Sequence, residues 1–188
     1  MSFWAKYQLY VYIALVALST WWLQQLNEQR EAEKKVAENS PDFFSTGYYK
    51  QEMDVEGLPK SELSADKMQH YKFDGSTHLD KPVMTLYNPN AEPWVIRSES
   101  GIMAADGDHL QLIGHTVINR EASDRNSALK VTTSDLKVTL STNYAETKAW
   151  AEIISPPNQT SGTGMEVTFV SPIHLKLLSK VKGRYEIN

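Results

Sequence analysis

Alternation of apolar and polar residues with a period of two recurs along most of the chain beyond Pro41, and it restricts the fold more than any other feature. Its clearest stretch covers residues 94–119, WVIRSESGIMAADGDHLQLIGHTVIN. Trp94, Ile96 and Ser98 alternate with their neighbours, Asp106-Gly107-Asp108 marks a turn, and Leu110, Leu112 and Val117 resume the pattern. Successive strand side chains point to opposite faces, and Asp-Gly tolerates the positive φ of a tight turn. The stretch therefore predicts two strands joined as a hairpin. The same unit recurs: Met68, Ile102, Leu136 and Met165 each follow a small or polar cluster, at offsets of 34, 34 and 29 residues. A near-constant offset predicts stacked supersecondary units.

The remaining segments carry the same signal. Leu136, Val138 and Leu140 share one face against Lys137 and Thr139, and Met165, Val167 and Phe169 oppose Glu166 and Thr168. Turn signals stand at Gly57-Leu58-Pro59, Asp74-Gly75, Asn88-Pro89-Asn90, Asp124-Arg125-Asn126, Ser141-Thr142-Asn143 and Ser171-Pro172. No segment past Pro41 keeps a helical period. Strands with one apolar face must bury it against a second sheet or a closed surface. The expected fold is all-β, an elongated β-jelly roll of antiparallel strands open along one side. Such a sandwich leaves backbone edges at its first and last strands, where a partner's strand can pair. Its interior, where incompletely filled, is an apolar groove able to hold acyl chains.

The N-terminal part is different. Residues 7–23 carry no charge, and as a helix they extend roughly 25 Å, the short end of what crosses a bilayer. Tyr7, Tyr10 and Tyr12 lie near one end and Trp21-Trp22 at the other, like the aromatic belts of a spanning helix. Three other readings compete: a buried core helix, an interfacial helix, and a cleaved signal peptide using the small residues Ala17 and Ser19. The all-round apolar surface and the indoles beyond Ser19 favour a retained anchor. Division is expected into an N-terminus with a transmembrane helix (1–26), a charged linker or helical extension (27–41) and a β-jelly roll (42–188). Lys6 ahead of the helix favours a cytoplasmic N-terminus and a β domain on the far side.

Chemistry is hard to find. The five histidines form no HExxH or helical pair, and there is no GxSxG, P-loop or dinucleotide fingerprint. With no cysteine in the chain, disulfides and thiolate metal sites are excluded. A net charge of −4 without a basic stripe gives no push toward nucleic acid. The expectation is a non-enzyme with no cofactor and no metal. Lys176, Lys180, Lys182 and Arg184 form a cationic cluster. They read either as edge-strand charges that discourage aggregation or as an attraction for phosphorylated sugars or an acidic partner.

Taken together, the N-terminal anchor and the segments LSADKMQHY, KPVMTLY, WVIRSESGIMAADGDHLQLIGHTVI, LKVTTSDLKV, SGTGMEV and VKGRYEI resemble the LptC family of lipopolysaccharide export. The most diagnostic parts are Leu110, Leu112, Gly114 and the Val117-Ile118 pair of an L-x-L-x-G-x-x-x-V segment, the late Thr163-Gly164-Met165, and the terminal Gly183 and Tyr185. The resemblance covers the whole chain and implies OstA-like repeats. It implies a single-pass protein of the cell inner membrane whose periplasmic β domain receives lipopolysaccharide from an ABC extractor, made of transmembrane and ATPase subunits. The lipid then passes to a soluble periplasmic bridge protein. The N-terminal edge of the β domain is expected to meet the extractor, and the C-terminal edge, with Gly164, Tyr185 and Ile187, the bridge. Apolar strand faces supply the candidate lipid-binding residues Leu79, Ile96, Leu112, Leu140, Phe169 and Leu175. The competing expectation is a membrane-tethered structural adaptor that joins partners by β-edge pairing and binds no lipid.

Overall fold

The computed structural model describes residues 3–38, 40–88, 91–123, 127–170 and 173–185, with helix side chains from 10 to 28. Turn signals at Pro89-Asn90, Asp124-Arg125-Asn126 and Ser171-Pro172, and the candidate Ile187, lie outside the described residues. Two units are distinguished, 1–40 and 41–188.

The first unit is one helix, α1 (Phe3–Glu38). The uncharged run and the Glu-, Lys- and Ala-rich run after it join without a break, because neither Gly nor Pro occurs before Pro41. The Ser19 hydroxyl donates to the Val16 carbonyl at 2.9 Å, and the Thr20 hydroxyl reaches the Val16 and Ala17 carbonyls, both at 2.9 Å. The expected membrane-spanning helix needs correction: among the described residues no helix is long and apolar enough to cross a membrane. The uncharged run owes much of its bulk to tyrosine and tryptophan, whose hydroxyl and indole N–H groups make them amphipathic, and Ser19, Thr20, Gln24 and Gln25 interrupt its aliphatic part. Absence of charge is a weaker property than an aliphatic surface.

The second unit holds eleven antiparallel strands among the described residues: β1 (Phe43–Met53), β2 (Pro59–His70), β3 (Thr77–Asp80), β4 (Val83–Asn88), β5 (Ala91–Met103), β6 (His109–Arg120), β7 (Leu129–Ser134), β8 (Lys137–Thr139), β9 (Tyr144–Ser155), β10 (Asn158–Thr168) and β11 (His174–Arg184). They follow one path, β1-β2-β3-β5-β6-β7-β9-β10-β11, with β4 also bridging β2 and β5, and β8 bridging β6 and β9. This pattern makes two layers. One half of β2 pairs with β4 (Ser61 opposite Leu86) and the other with β3 (Met68 opposite Leu79). β5 divides between the same two partners, while β6 and β9 divide between β7 and β8. These four long strands thus cross from one layer to the other, and the short strands fill one layer each.

The crossings depend on backbone irregularities. Gly47, Gly114 and Gly164 interrupt β1, β6 and β10 with φ of 67°, 79° and 76°. Lys81 and Asp135, at φ 48° and 52°, separate β3 from β4 and β7 from β8. In β5 the register shifts between Ser98 and Ser100. Before the shift Trp94, Ile96 and Ser98 are buried; after it Gly101 and Met103 are. One extra residue turns every following side chain to the opposite face, so the bulge keeps the apolar set inside while the strand bends. A seam of hydroxyls satisfies the disturbed backbone. Ser98 Oγ donates to the Ile113 carbonyl at 2.9 Å and Thr147 Oγ1 to the Ser134 carbonyl at 2.7 Å, and the Gly114 N–H meets Asp135 Oδ1 at 3.1 Å.

The hairpin at Asp106-Gly107-Asp108 forms as expected: Gly107 takes φ 69°, and Asp106 Oδ1 accepts from the Asp108 and His109 N–H groups at 2.9 and 3.1 Å. The 34-residue repeat does not describe the architecture. The unit that recurs is a long strand, two short strands hinged at a left-handed residue, and a second long strand, occurring as β2–β5 and again as β6–β9. Ile102 is half-buried in a strand, whereas Leu136 lies between two short strands and is completely buried. Alternation phases any pair of strands equally well, so it does not identify which strands are equivalent.

Candidate functional site

The inward faces of the two layers meet in one apolar cluster. Strand alternation positions Leu79, Ile96, Leu112 and Leu175 there, while Leu140 and Phe169 follow the ends of β8 and β10. Leu79, Ile96, Leu112 and Phe169 are 3%, 0%, 1% and 1% exposed, and Leu140 and Leu175 are partly buried against the same cluster. The six are thus brought together, as parts of a core. Beside this cluster Leu63, Met84, Met103 and Leu140, together with Lys50, Glu52, Ser61 and Glu62, line a cavity of about 10 Å³. That is at the lower limit for a single water molecule. In this arrangement the slot is closed and filled by its own side chains.

Three larger depressions, of about 500, 560 and 620 Å³, mix apolar with charged lining, and two of them reach core residues, Leu110 and Val138 in one and Met165 in another. Asp66, Asp80, Lys81, Arg97 and Glu99 surround one of them, beside the seam where strands change layer. None of the three is lined by a candidate slot residue. Among the described residues no group of His, Asp and Glu is arranged to hold a metal ion.

The rim of the slot is built from residues that sequence reasoning missed. Trp94, at the start of β5, is 1% exposed and meets Phe169 edge-on, with ring centroids 5.3 Å apart. Arg120 pairs with Trp94 across the β5–β6 ladder, and its guanidinium lies 4.8 Å from the Trp94 ring centroid. Asn88 Nδ2 donates to the Phe169 carbonyl at 2.8 Å, which ties the end of β4 to the residue just after β10 in the facing layer. Trp94 Nε1 and Arg120 Nε are buried without a hydrogen-bond partner. A signal for this cluster existed, because Trp94 and Arg120 lie equally far on either side of Gly107. Counting outward from the turn pairs Met103 with Leu110 and brings Trp94 within one residue of Arg120, and the bulge between Ser98 and Ser100 supplies the remaining step.

The outermost strands, β1 and β11, each have a single neighbour. Phe44 and Tyr49 of β1 are exposed, and β11 is exposed from Leu178 to its end. Lys180, Lys182 and Arg184 lie on β11. Gly164 faces this edge: a Cβ there would stand 2.9 Å from Leu178 Cδ1. Gly183 lies under the ring of Tyr185, whose hydroxyl is 3.3 Å from Thr160 Oγ1. Gly164 and Tyr185 therefore belong to the last two strands and their continuation.

Ionisable groups cluster mainly in turns. Asp106 accepts the backbone N–H of Asp108 and binds His109 Nδ1 at 2.7 Å. These bonds pull its pKa down to about 2 and push that of His109 up. Asp108 accepts from the Ser141 N–H at 2.6 Å and is likewise lowered. At the start of the sheet Asp42 meets His70 Nδ1 at 2.7 Å, which lowers the Asp42 pKa. Among the described residues these bonds latch turns and strand ends.

The family described as "Lipopolysaccharide-assembly, LptC-related" matches residues 9–186. The chain superposes on the crystal structure of LptH from Pseudomonas aeruginosa, the LptA-homologous periplasmic component of a lipopolysaccharide transport device. The TM-score is 0.54 at 9% identity, covering 68% of this chain and 95% of that one. At that identity the likeness is one of fold. Comparison with curated proteins gives no match. With a family match over nearly its whole length, the chain belongs to the LptC-related lipopolysaccharide-assembly family, and its role is in lipopolysaccharide transport.

Proposed function

We propose that the β unit works in the periplasm as a lipopolysaccharide carrier, taking lipid from the inner-membrane ABC extractor between its two layers and passing it to a periplasmic bridge protein. The observation that carries this reading is a two-layered sheet whose path has two ends, β1 and β11, and whose interior is one continuous apolar cluster. Each methylene moved from water into such an interior gains about 0.8 kcal/mol. An acyl chain so held leaves by passing into a matching slot rather than into water. Leu79, Ile96, Leu112, Leu140, Phe169 and Leu175 are the lining this reading assigns. Because the slot is closed as it stands, loading requires the layers to part at the rim.

In the same reading β1 receives the extractor, and β11 with Gly164, Tyr185 and the undescribed Ile187 receives the bridge. Exposed strand edges offer unpaired N–H and C=O groups to such partners. The α1 stretch from Tyr10 to Leu26, exposed and rich in large apolar side chains, holds the protein at the inner membrane. No reaction is assigned to the chain.

The test is a photo-crosslinking side chain at Leu79 or Phe169 in cells exporting lipopolysaccharide. Capture of lipid there, and not at outward Glu166 or Lys137, is the expected result; capture only at outward positions contradicts it. The filled interior favours one rival, an adaptor that joins partners through its edges and binds no lipid. It predicts that Phe169→Glu, when folded, leaves transport intact while Lys182→Pro in β11 abolishes it.

A further inference from the structure

Two buried donors stand at the rim without acceptors. Trp94 Nε1 and Arg120 Nε make no hydrogen bond, although the two residues face each other on paired strands and stack at 4.8 Å. An indole N–H and a guanidinium N–H are donors only, so neither satisfies the other. Among the described residues no carboxylate forms an ion pair with Arg120; its Nη2 donates to the Ser127 carbonyl at a long 3.3 Å. Leaving such donors buried is unfavourable, and a native structure that does so calls for an explanation. Directly beneath them is the apolar slot, through Phe169 at 5.3 Å.

We infer that Trp94 and Arg120 form the headgroup seat of the slot, binding the phosphate of an amphiphile whose alkyl chains lie between the layers. The inference rests on the carrier reading above and adds to it the chemistry by which cargo is recognised. A phosphate supplies the missing acceptors and the missing negative charge at once. Arginine is suited to this partner, because its planar fork meets two phosphate oxygens together. The same cluster gates the site. An incoming chain displaces Phe169 from Trp94 and breaks the Asn88 bond to the Phe169 carbonyl, and only then are the two donors uncovered. Without cargo, stacking on Trp94 keeps the guanidinium in place.

The test uses the full chain in maltoside micelles, with binding followed by calorimetry for dodecyl phosphate, dodecanol and inorganic phosphate. Dodecyl phosphate is expected to bind at least about tenfold more tightly than dodecanol, as a charge-assisted bond warrants. Arg120→Gln is expected to remove that difference, with the fold of the variant checked separately by circular dichroism and its urea unfolding curve. Trp94→Phe keeps the ring and removes the donor, and is expected to reduce the preference by a smaller factor. Equal binding of dodecyl phosphate and dodecanol by the unaltered chain overturns the headgroup seat and leaves the apolar slot standing. Binding of neither amphiphile overturns the slot, and the seat with it. Inorganic phosphate bound as tightly as dodecyl phosphate, and lost in Arg120→Gln, marks an anion site unrelated to lipid and also overturns the inference.

Discussion

Gly164 shows how much of this fold rests on single residues. Its φ of 76° is the left-handed region, and a Cβ would meet the side chain of Leu178 at 2.9 Å. Gly164→Ala is expected to destabilise the β unit by about 1–2 kcal/mol in urea unfolding. Pairing it with Leu178→Ala should recover the steric part and leave the backbone part. Thr116, fully buried in the seam, donates to the Gly114 carbonyl at 3.2 Å and lies 3.1 Å from Ser98 Oγ. Each hydroxyl carries one proton, so with Ser98 bonded to the Ile113 carbonyl and Thr116 to the Gly114 carbonyl both are used. Thr116→Val should cost about 1–3 kcal/mol by leaving the Gly114 carbonyl without this donor, measured by the same unfolding curve. Gly164 stood out only through the family resemblance, and Thr116 not at all. A glycine or threonine in an alternating run looks like any other, and Lys81 and Asp135 carry no mark of their left-handed backbone.

At the scale of elements, the strands were legible and their bends were not. Hydrophobic alternation located the β5–β6 hairpin, and Asp106-Gly107 its turn, since both signals arise within a few residues. The division of β2, β5, β6 and β9 between two layers depends on which strands lie alongside, which no local pattern records. The helix was visible too, but a count of uncharged positions credited tyrosine and tryptophan with the hydropathy of leucine. The β5–β6 turn makes a pH prediction. Asp106 has a lowered pKa, so its bonds stabilise the folded state above the usual carboxylate value near 3.8 and are lost as pH falls toward about 2. His109 has a raised pKa, so its contribution is complete below 6.5 and disappears as pH rises through the raised value. NMR titration should show His109 above 6.5, and Asp106→Asn should return it to the ordinary value. A His109 pKa at or below 6.5 in the unaltered chain contradicts the pairing.

The β unit as a whole is a sandwich that is apolar inside, closed, and unpaired at both ends of its sheet. Of the residues alternation proposed for the slot, Leu79, Ile96, Leu112 and Phe169 are buried. Alternation did not show that they pack against one another with almost no space left, because volume is a property of two layers together. Transport through such a body requires motion at the rim, where Trp94, Phe169, Asn88 and Arg120 close one layer on the other. The chain contains no cysteine, so two can be introduced and spin-labelled without interference. Exposed Glu92, near the rim of one layer, and exposed Thr142, near the rim of the other, are suitable positions. The most direct measurement is the distance between these labels with and without lipopolysaccharide. The account predicts a single short distance in the free protein that lengthens by several ångströms when lipid binds; an unchanged distance with lipid demonstrably bound contradicts it.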